Sequence, residues 1–183
     1  SGSGKSTFVD LLMSLLKPTA GKILLDGNLL NKNQELMQAW RKSIAHVPQN
    51  IFLSDNSIAE NIAFGKKIKE IDFELLEDCS KKAQLSSFIN SLENGFYTRV
   101  GEKGVKLSGG QKQRIGIARA LYKKKKILIL DEATSALDVV TESKVIKAIN
   151  TLCEDLTIIA VAHRTSTLQN YDRLIKFESG NLS

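Results

Sequence analysis

Four apolar residues in a row, Ile127 to Leu130, run directly into Asp131 and Glu132. A strand with one wet face alternates apolar and polar residues. A strand without alternation is buried on both faces, and such strands belong to parallel sheets covered by helices on either side. The run therefore commits the chain to an α/β core. It also places two carboxylates at the end of a core strand. The plain use of such a pair is to end the strand and cap the next turn; the sharper use is to hold a ligand there.

The first seven residues favour the sharper use. Ser1, Gly2, Ser3, Gly4, Lys5, Ser6 and Thr7 match the end of the phosphate loop G-x-x-x-x-G-K-[ST]. Gly4 allows the sharp turn into a helix, and successive backbone N–H groups wrap phosphates. Lys5 is expected to reach the β- and γ-phosphates of a nucleotide, and the Ser6 hydroxyl to ligate Mg²⁺. A Gly/Ser linker is the bland alternative. Against it, Phe8, Leu11, Leu12, Leu15 and Leu16 follow at helical spacing, and a linker needs no core-facing helix behind it. The leading glycine of the motif would precede Ser1, so the chain reads as a fragment that begins inside a functional loop. Beside this loop, Asp131 is the expected Mg²⁺ partner, directly or through water. Glu132 is placed to orient an attacking water or accept its proton.

A second anion-binding element lies between them. Leu107, Ser108, Gly109, Gly110 and Gln111 open a predicted helix with small residues. Small residues let the backbone approach a ligand, and a helix N-terminus offers free N–H groups to an anion. One nucleotide site needs only one such element, and this chain carries two.

With these motifs in this order the chain resembles the nucleotide-binding domain of ATP-binding cassette (ABC) transporters along nearly its whole length, and the exporter branch in particular. In that resemblance L-S-G-G-Q at 107–111 is the family signature, Asp131 the Walker B aspartate and Glu132 the catalytic glutamate. Gln49, in H-V-P-Q-N, matches the Q-loop glutamine, which senses Mg²⁺ and water and faces the membrane domain. Ser135, Ala136, Leu137 and Asp138 match the D-loop, and His163 matches the switch histidine that contacts the γ-phosphate. The stretches S-I-A-E-N-I-A-F-G at 57–65 and R-V-G-E-K-G at 99–104 favour an exporter. The latter resembles the loop that contacts cytoplasmic coupling helices. The aromatic residue that stacks on adenine in the family would precede Ser1. The resemblance implies ATP and Mg²⁺ as cofactors. It implies a second nucleotide-binding domain as partner, arranged head to tail, with a homodimer favoured by the intact motifs. It also implies a transmembrane domain fused upstream and a place on the cytoplasmic face of a membrane, held there through that domain alone.

The predicted organisation is a P-loop NTPase core of mostly parallel strands with an inserted α-helical subdomain. One domain spans 1–183, and within it residues of about 50–120 form the helical part that carries the signature. A helix from Gly4 to Leu16 ends before Pro18. Residues 21–28 form a strand entering an Asp26-Gly27 turn. Residues 33–40 form a short helix with Trp40 as a packing residue, and 44–48 a strand leading to Gln49. From Phe52 to Ala120 the pattern is almost wholly helical, carried by 71–83, 85–92 and the helix after Ser108. Parallel strands then follow at 127–130, 157–161 and 173–177, with a helix at 141–152 whose apolar face is Val145, Ile149 and Leu152.

Composition narrows the partners. At 183 residues the chain suits one domain. No window approaches 18 uninterrupted apolar residues, so no segment reads as a membrane span. Cys79 and Cys153 read as buried or free thiols, and two histidines, His46 and His163, make a zinc site a poor fit. Lys123 to Lys126 form a basic run in a chain of net charge +6. Nucleic acid or an anionic membrane would suit it, but no aromatic residues are interleaved as a stacking platform would need. A solvated flank that guards the apolar strand after it is the simpler use, and no nucleic-acid partner is expected. Two other functions stay open: a soluble ABC-type ATPase acting as a mechanical clamp in translation or repair, and a module that dimerises on ATP without turnover.

Overall fold

The computed structural model describes residues 4–104, 106–150, 156–162, 171–178 and 181–182. The chain divides into two compact units, residues 1–44 with 163–183 and residues 45–162. In the first unit, α1 (Lys5–Leu12) starts at Gly4, whose φ of 94° is left-handed and costs glycine nothing. The helix stops short of the expected Leu16. Ser14 takes φ 57°, its N–H donates to Leu11 O at 3.0 Å, and the Leu15 N–H donates back to Asp10 O at 2.8 Å. This is a Schellman closure with serine in the position glycine usually fills. The apolar spacing continues past it, but Leu15 and Leu16 are exposed.

The Asp-Gly pair turns the chain as expected. β1 (Leu24–Leu25) and β2 (Asn28–Leu29) pair antiparallel around Asp26 and Gly27. Their φ values of 48° and 79° suit the tight turn that matches strand twist. α2 (Gln34–Ser43) is capped by Asn33, whose side chain accepts from Leu36 N at 2.9 Å, and it runs past the expected 40. Trp40 packs here: its Nε1 donates to Leu12 O at 2.6 Å, and the Arg41 guanidinium donates to Ser14 O. Both satisfy carbonyls that the end of α1 leaves without helical partners.

The second unit is built on a three-stranded sheet. After β3 (Ile44–Val47) come α3 (Ile58–Ile62), α4 (Phe73–Lys82), α5 (Ser86–Asn90) and α6 (Gly109–Tyr122). Then follow β4 (Ile127–Asp131), α7 (Val139–Asn150) and β5 (Thr157–Val161). Sheet order is β3-β4-β5, and β4 and β5 are parallel in register from Ile127 opposite Thr157 to Asp131 opposite Val161. Leu128, Ile129 and Leu130 are all buried, as an unalternated strand requires. α6 is the central helix, with Ile115, Ile117 and Ala118 wholly buried and α3 and α4 packed against it.

Two sequence expectations are corrected. The 52–120 stretch is not almost wholly helical. Turn clusters around Gly65 and Asn94-Gly95 interrupt it, and only single 3-10 turns at Ile68–Glu70, Gly95–Tyr97 and Glu102–Gly104 fill the gaps. Residues 173–177 do not form a parallel strand. Residues 173–176 have no regular structure and Leu174 and Ile175 are exposed. Instead β6 (Phe177–Glu178) pairs antiparallel with β7 (Asn181–Leu182), because a partner two residues further on is reached by a hairpin without a crossover. The Phe8 and Phe177 rings lie 5.1 Å apart in this first unit. Lys123 to Lys126 are exposed between α6 and β4.

Candidate nucleotide site

The parallel sheet delivers the two carboxylates. Asp131 ends β4 and is half-buried. Glu132 follows with φ 49°, a left-handed conformation unusual for a residue with a side chain and costing on the order of 1–3 kcal/mol. Hydrogen bonds hold it there: its N–H donates to Val161 O at 3.0 Å, and its carbonyl accepts from Ser135 N at 3.1 Å. The turn redirects Glu132 out of the strand's alternation. Its carboxylate meets Gln49, whose Nε2 donates to Glu132 Oε2 at 2.7 Å. Gln49 stands just beyond β3, so two neighbouring strands bring these residues together from distant parts of the sequence.

The loop after Glu132 is ordered from within. Thr134 Oγ1 donates to Glu142 Oε1 at 2.6 Å in a buried pair between the loop and α7. Leu137 is buried, while Ser135, Ala136 and Asp138 are exposed. Asp138 caps α7 by accepting from Thr141 N at 2.9 Å. The Thr141 side-chain and backbone hydrogen bonds hold its carboxyl below the usual carboxylate range.

The signature opens α6 with a capping box. Ser108 Oγ accepts from Gln111 N at 3.2 Å, and Gln111 Oε1 accepts from Ser108 N at 2.8 Å. Gly110 makes the close approach, while Gly109 has room for a side chain at ordinary contact distance. A Cβ at Gly110 would lie 3.2 Å from Ala136 O, and one at Gly109 would lie 3.5 Å from Ala136 Cβ. Leu107 is half-buried against the core. Thus 107–111 and 135–138 form one contiguous surface in the second unit.

Three residues along α6 were not singled out by sequence reasoning. Gln113 is 5% exposed and bonds the loop after Glu132. At Gly116 a Cβ would fall 2.5 Å from Ile51 Cδ1, so the segment after Gln49 lies directly on the helix. Arg119 donates through Nε to Asn61 O at 2.7 Å and through NH1 to Phe52 O at 2.8 Å. Burial pulls its guanidinium below its ordinary pKa. The buried Asn61 side chain in turn donates to Ser54 O and Ser57 O, both at 3.0 Å. A glutamine, a glycine and an arginine spaced by three on a helix were the available signal, since that spacing places them along one side.

Gly4, Lys5, Ser6 and Thr7 belong to the first unit. Gly4 and Lys5 are half-buried and Ser6 and Thr7 exposed, at the start of α1. The Gly4 cap has no side chain to occupy the first-turn N–H groups, the arrangement an anion-binding helix start uses. Ser1, Gly2, Ser3 and His163 lie outside the described residues, as does Cys153. Cys79 is buried, and burial pushes its thiol up to about 11.

A family model described as ABC transporter matches residues 1–135. The chain is 44% identical over its full length to an "ATP-dependent lipid A-core flippase" of Ralstonia nicotianae, covering 31% of that protein. It is 46% identical over its full length to "ABC transporter B family member 14" of Arabidopsis thaliana, covering 14% of it. Among solved structures it is similar to one described as "Structure of a bacterial Atm1-family ABC exporter with ATP bound", with TM-score 0.91, 38% identity, all of this chain and 31% of that one covered. The chain therefore spans a third or less of the length of these relatives.

Proposed function

The chain belongs to the ABC transporter family, whose matched domain binds ATP, and we propose that it is the ATP-hydrolysing part of an exporter. The observation that supports this reading best is the Gln49–Glu132 hydrogen bond. It brings a strand-end carboxylate and a neutral amide together, both of them predicted to serve the same reaction. Lys5 and the N–H groups at the start of α1 are assigned to the phosphates, and the Ser6 hydroxyl to Mg²⁺. Mg²⁺ is assigned to the oxygen donors Ser6, Gln49 and Asp131 by their chemical type, since it favours one or two carboxylates completed by phosphate oxygens and water. When bound, that ion would neutralise charge on the transferring phosphoryl group. Glu132 is assigned the attacking water and its proton, and His163 the contact with the γ-phosphate.

The signature serves a second copy of the domain. Ser108 Oγ uses a lone pair on Gln111 N, which leaves its own proton to donate to a phosphate oxygen. In a head-to-tail pair Ser108, Gly109 and Gly110 of one copy close over ATP held by the other copy's phosphate loop. Binding energy thereby becomes association energy, and loss of the γ-phosphate releases the pair. The helical subdomain of about 50–120 carries the signature into that interface. No described helix is long and apolar enough to cross a membrane. The membrane association of the relatives is assigned here to a transmembrane domain joined to this one, which holds it at the cytoplasmic face. Gln49 and the 50–61 segment, tied to α6 by Arg119, would pass closure on to that domain.

The test uses the intact protein in lipid vesicles. Glu132→Gln is expected to retain ATP binding, lose turnover and accumulate as a closed pair. Steady turnover in that variant would place the base elsewhere. ATP-driven association with no membrane-dependent stimulation or cargo movement would favour a soluble clamp.

A further inference from the structure

Gln113 lies two residues beyond the signature and faces inward from α6, 5% exposed. All of its side-chain amide is used on one loop. Its Oε1 accepts from Ala136 N at 2.8 Å, and its Nε2 donates to Ser135 Oγ at 3.0 Å and, over a longer 3.4 Å, to Glu132 O. The same loop meets the signature backbone where Gly110 approaches Ala136 O. Glu132 meanwhile sits at φ 49°, a conformation that persists only when its surroundings over-determine it. Gln113 supplies part of that surrounding from a different element.

We infer that Gln113 is a positioning residue, which fixes the backbone of the 132–136 turn, and so the aim of the Glu132 carboxylate, to the helix that carries the signature. This rests on the reading of Glu132 as the residue that activates water. It deepens that reading, because α6 then joins two different nucleotides in a head-to-tail pair. The signature at its start covers the partner's ATP, while Gln113 one turn on holds the glutamate that serves its own. A displacement of the signature on engaging the partner's nucleotide is transmitted through one amide to the hydrolytic turn.

The experiment compares Gln113→Ala and Gln113→Glu in the intact protein by steady-state ATPase kinetics and by amide hydrogen exchange of residues 132–138 without nucleotide. Gln113→Ala is expected to lower kcat about 10²-fold, the scale of a misplaced catalytic group. KM for ATP should stay within about two-fold, since nucleotide contacts are untouched. Exchange at Ala136 should rise sharply. Gln113→Glu keeps an acceptor for Ala136 N–H, and burial at 5% exposure favours its neutral carboxyl, whose single O–H replaces the amide's two N–H donors, so it should retain exchange protection and recover part of kcat. It also carries the test if the alanine variant fails to fold. Unchanged exchange in Gln113→Ala overturns the clamp. Raised exchange with unchanged kcat, or equal loss of kcat and KM in both variants, overturns the positioning role. A wild-type protein that hydrolyses no ATP, yet whose Ala136 exchange still depends on Gln113, would locate the failure in the reading of Glu132 and not in the clamp.

Discussion

Gln49 Nε2 donates to Glu132 Oε2 at 2.7 Å across 83 residues of sequence. The amide orients one carboxylate oxygen and brings no charge of its own to the pair. The bond also ties a residue expected to face the membrane domain to one expected to activate water. Removing the amide in Gln49→Ala should therefore cost turnover more than binding. A loss of on the order of 10-fold in kcat is expected, less than the 10²–10⁴ that a general base itself supplies. Steady-state kinetics with ATP, alongside a direct binding measurement, separates the two; an affinity loss equal to the loss in turnover would mean Gln49 acts on the nucleotide alone.

In the first unit, Lys5 follows a glycine N-cap that makes no side-chain cap hydrogen bond to the start of α1. Its ammonium adds a full charge to the partial charge of the helix start. Lys5→Ala should weaken ATP binding by about 1.5–3 kcal/mol, the range for hydrogen bonds to charged groups, or tenfold and more in Kd. Calorimetric titration measures this directly. Unaltered affinity would remove the phosphate-loop assignment of Lys5.

Sequence reasoning reached different depths for different parts of this chain. The Ile127–Leu130 run and the Asp26-Gly27 turn each have one dominant cause, burial on two faces and a backbone conformation, and both appear where expected. The end of α1 was illegible, because a Schellman closure through Ser14 uses a residue with no strong preference for left-handed backbone. Residues 173–177 misled because a short apolar stretch is compatible with a crossover or a hairpin, and only the available partner decides. In the candidate site, residues carried by motif were identifiable individually. Gln113 and Arg119 were not, because a spacing by three marks only one side of a helix, while their work lies in long-range bonds to backbone carbonyls and amides that the spacing does not name.

Cys79 gives a titration with a definite sign. Burial is the main cause that lifts its thiol from an ordinary 9.0 to about 11, with Asp78 adding to the rise and Lys82 and Lys124 opposing it. The fold therefore holds this proton more tightly than the unfolded chain does. Its stabilising effect is complete below about pH 9 and is lost as pH rises through about 11. Denaturant midpoints of wild type and Cys79→Ala, compared across that window, should converge toward alkaline pH. A constant difference would show that the thiol does not ionise on unfolding. At neutral pH the same burial should leave Cys79 unreactive to alkylation in the native state.

Arg119 is the strongest candidate for holding the 52–61 segment on α6. Its guanidinium reaches Asn61 O, Phe52 O and, at a longer 3.4 Å, Asn61 Oδ1, and Asn61 reaches Ser54 O and Ser57 O. Arg119→Met would preserve much of the apolar stem and delete all three bonds. Leaving the partly buried Asn61 carbonyl without its donor costs about 1–3 kcal/mol, which should appear as a lower denaturant midpoint and faster amide exchange confined to residues 52–61. Arg119→Lys should rescue little, because one ammonium cannot reproduce a planar fork that addresses two carbonyls at once. If the segment relays closure to a membrane domain, Arg119→Met in the intact protein should also weaken the coupling of ATP turnover to transport while basal hydrolysis persists. Loss of exchange protection with coupling intact would make the segment a structural brace and move the relay to Gln49 itself.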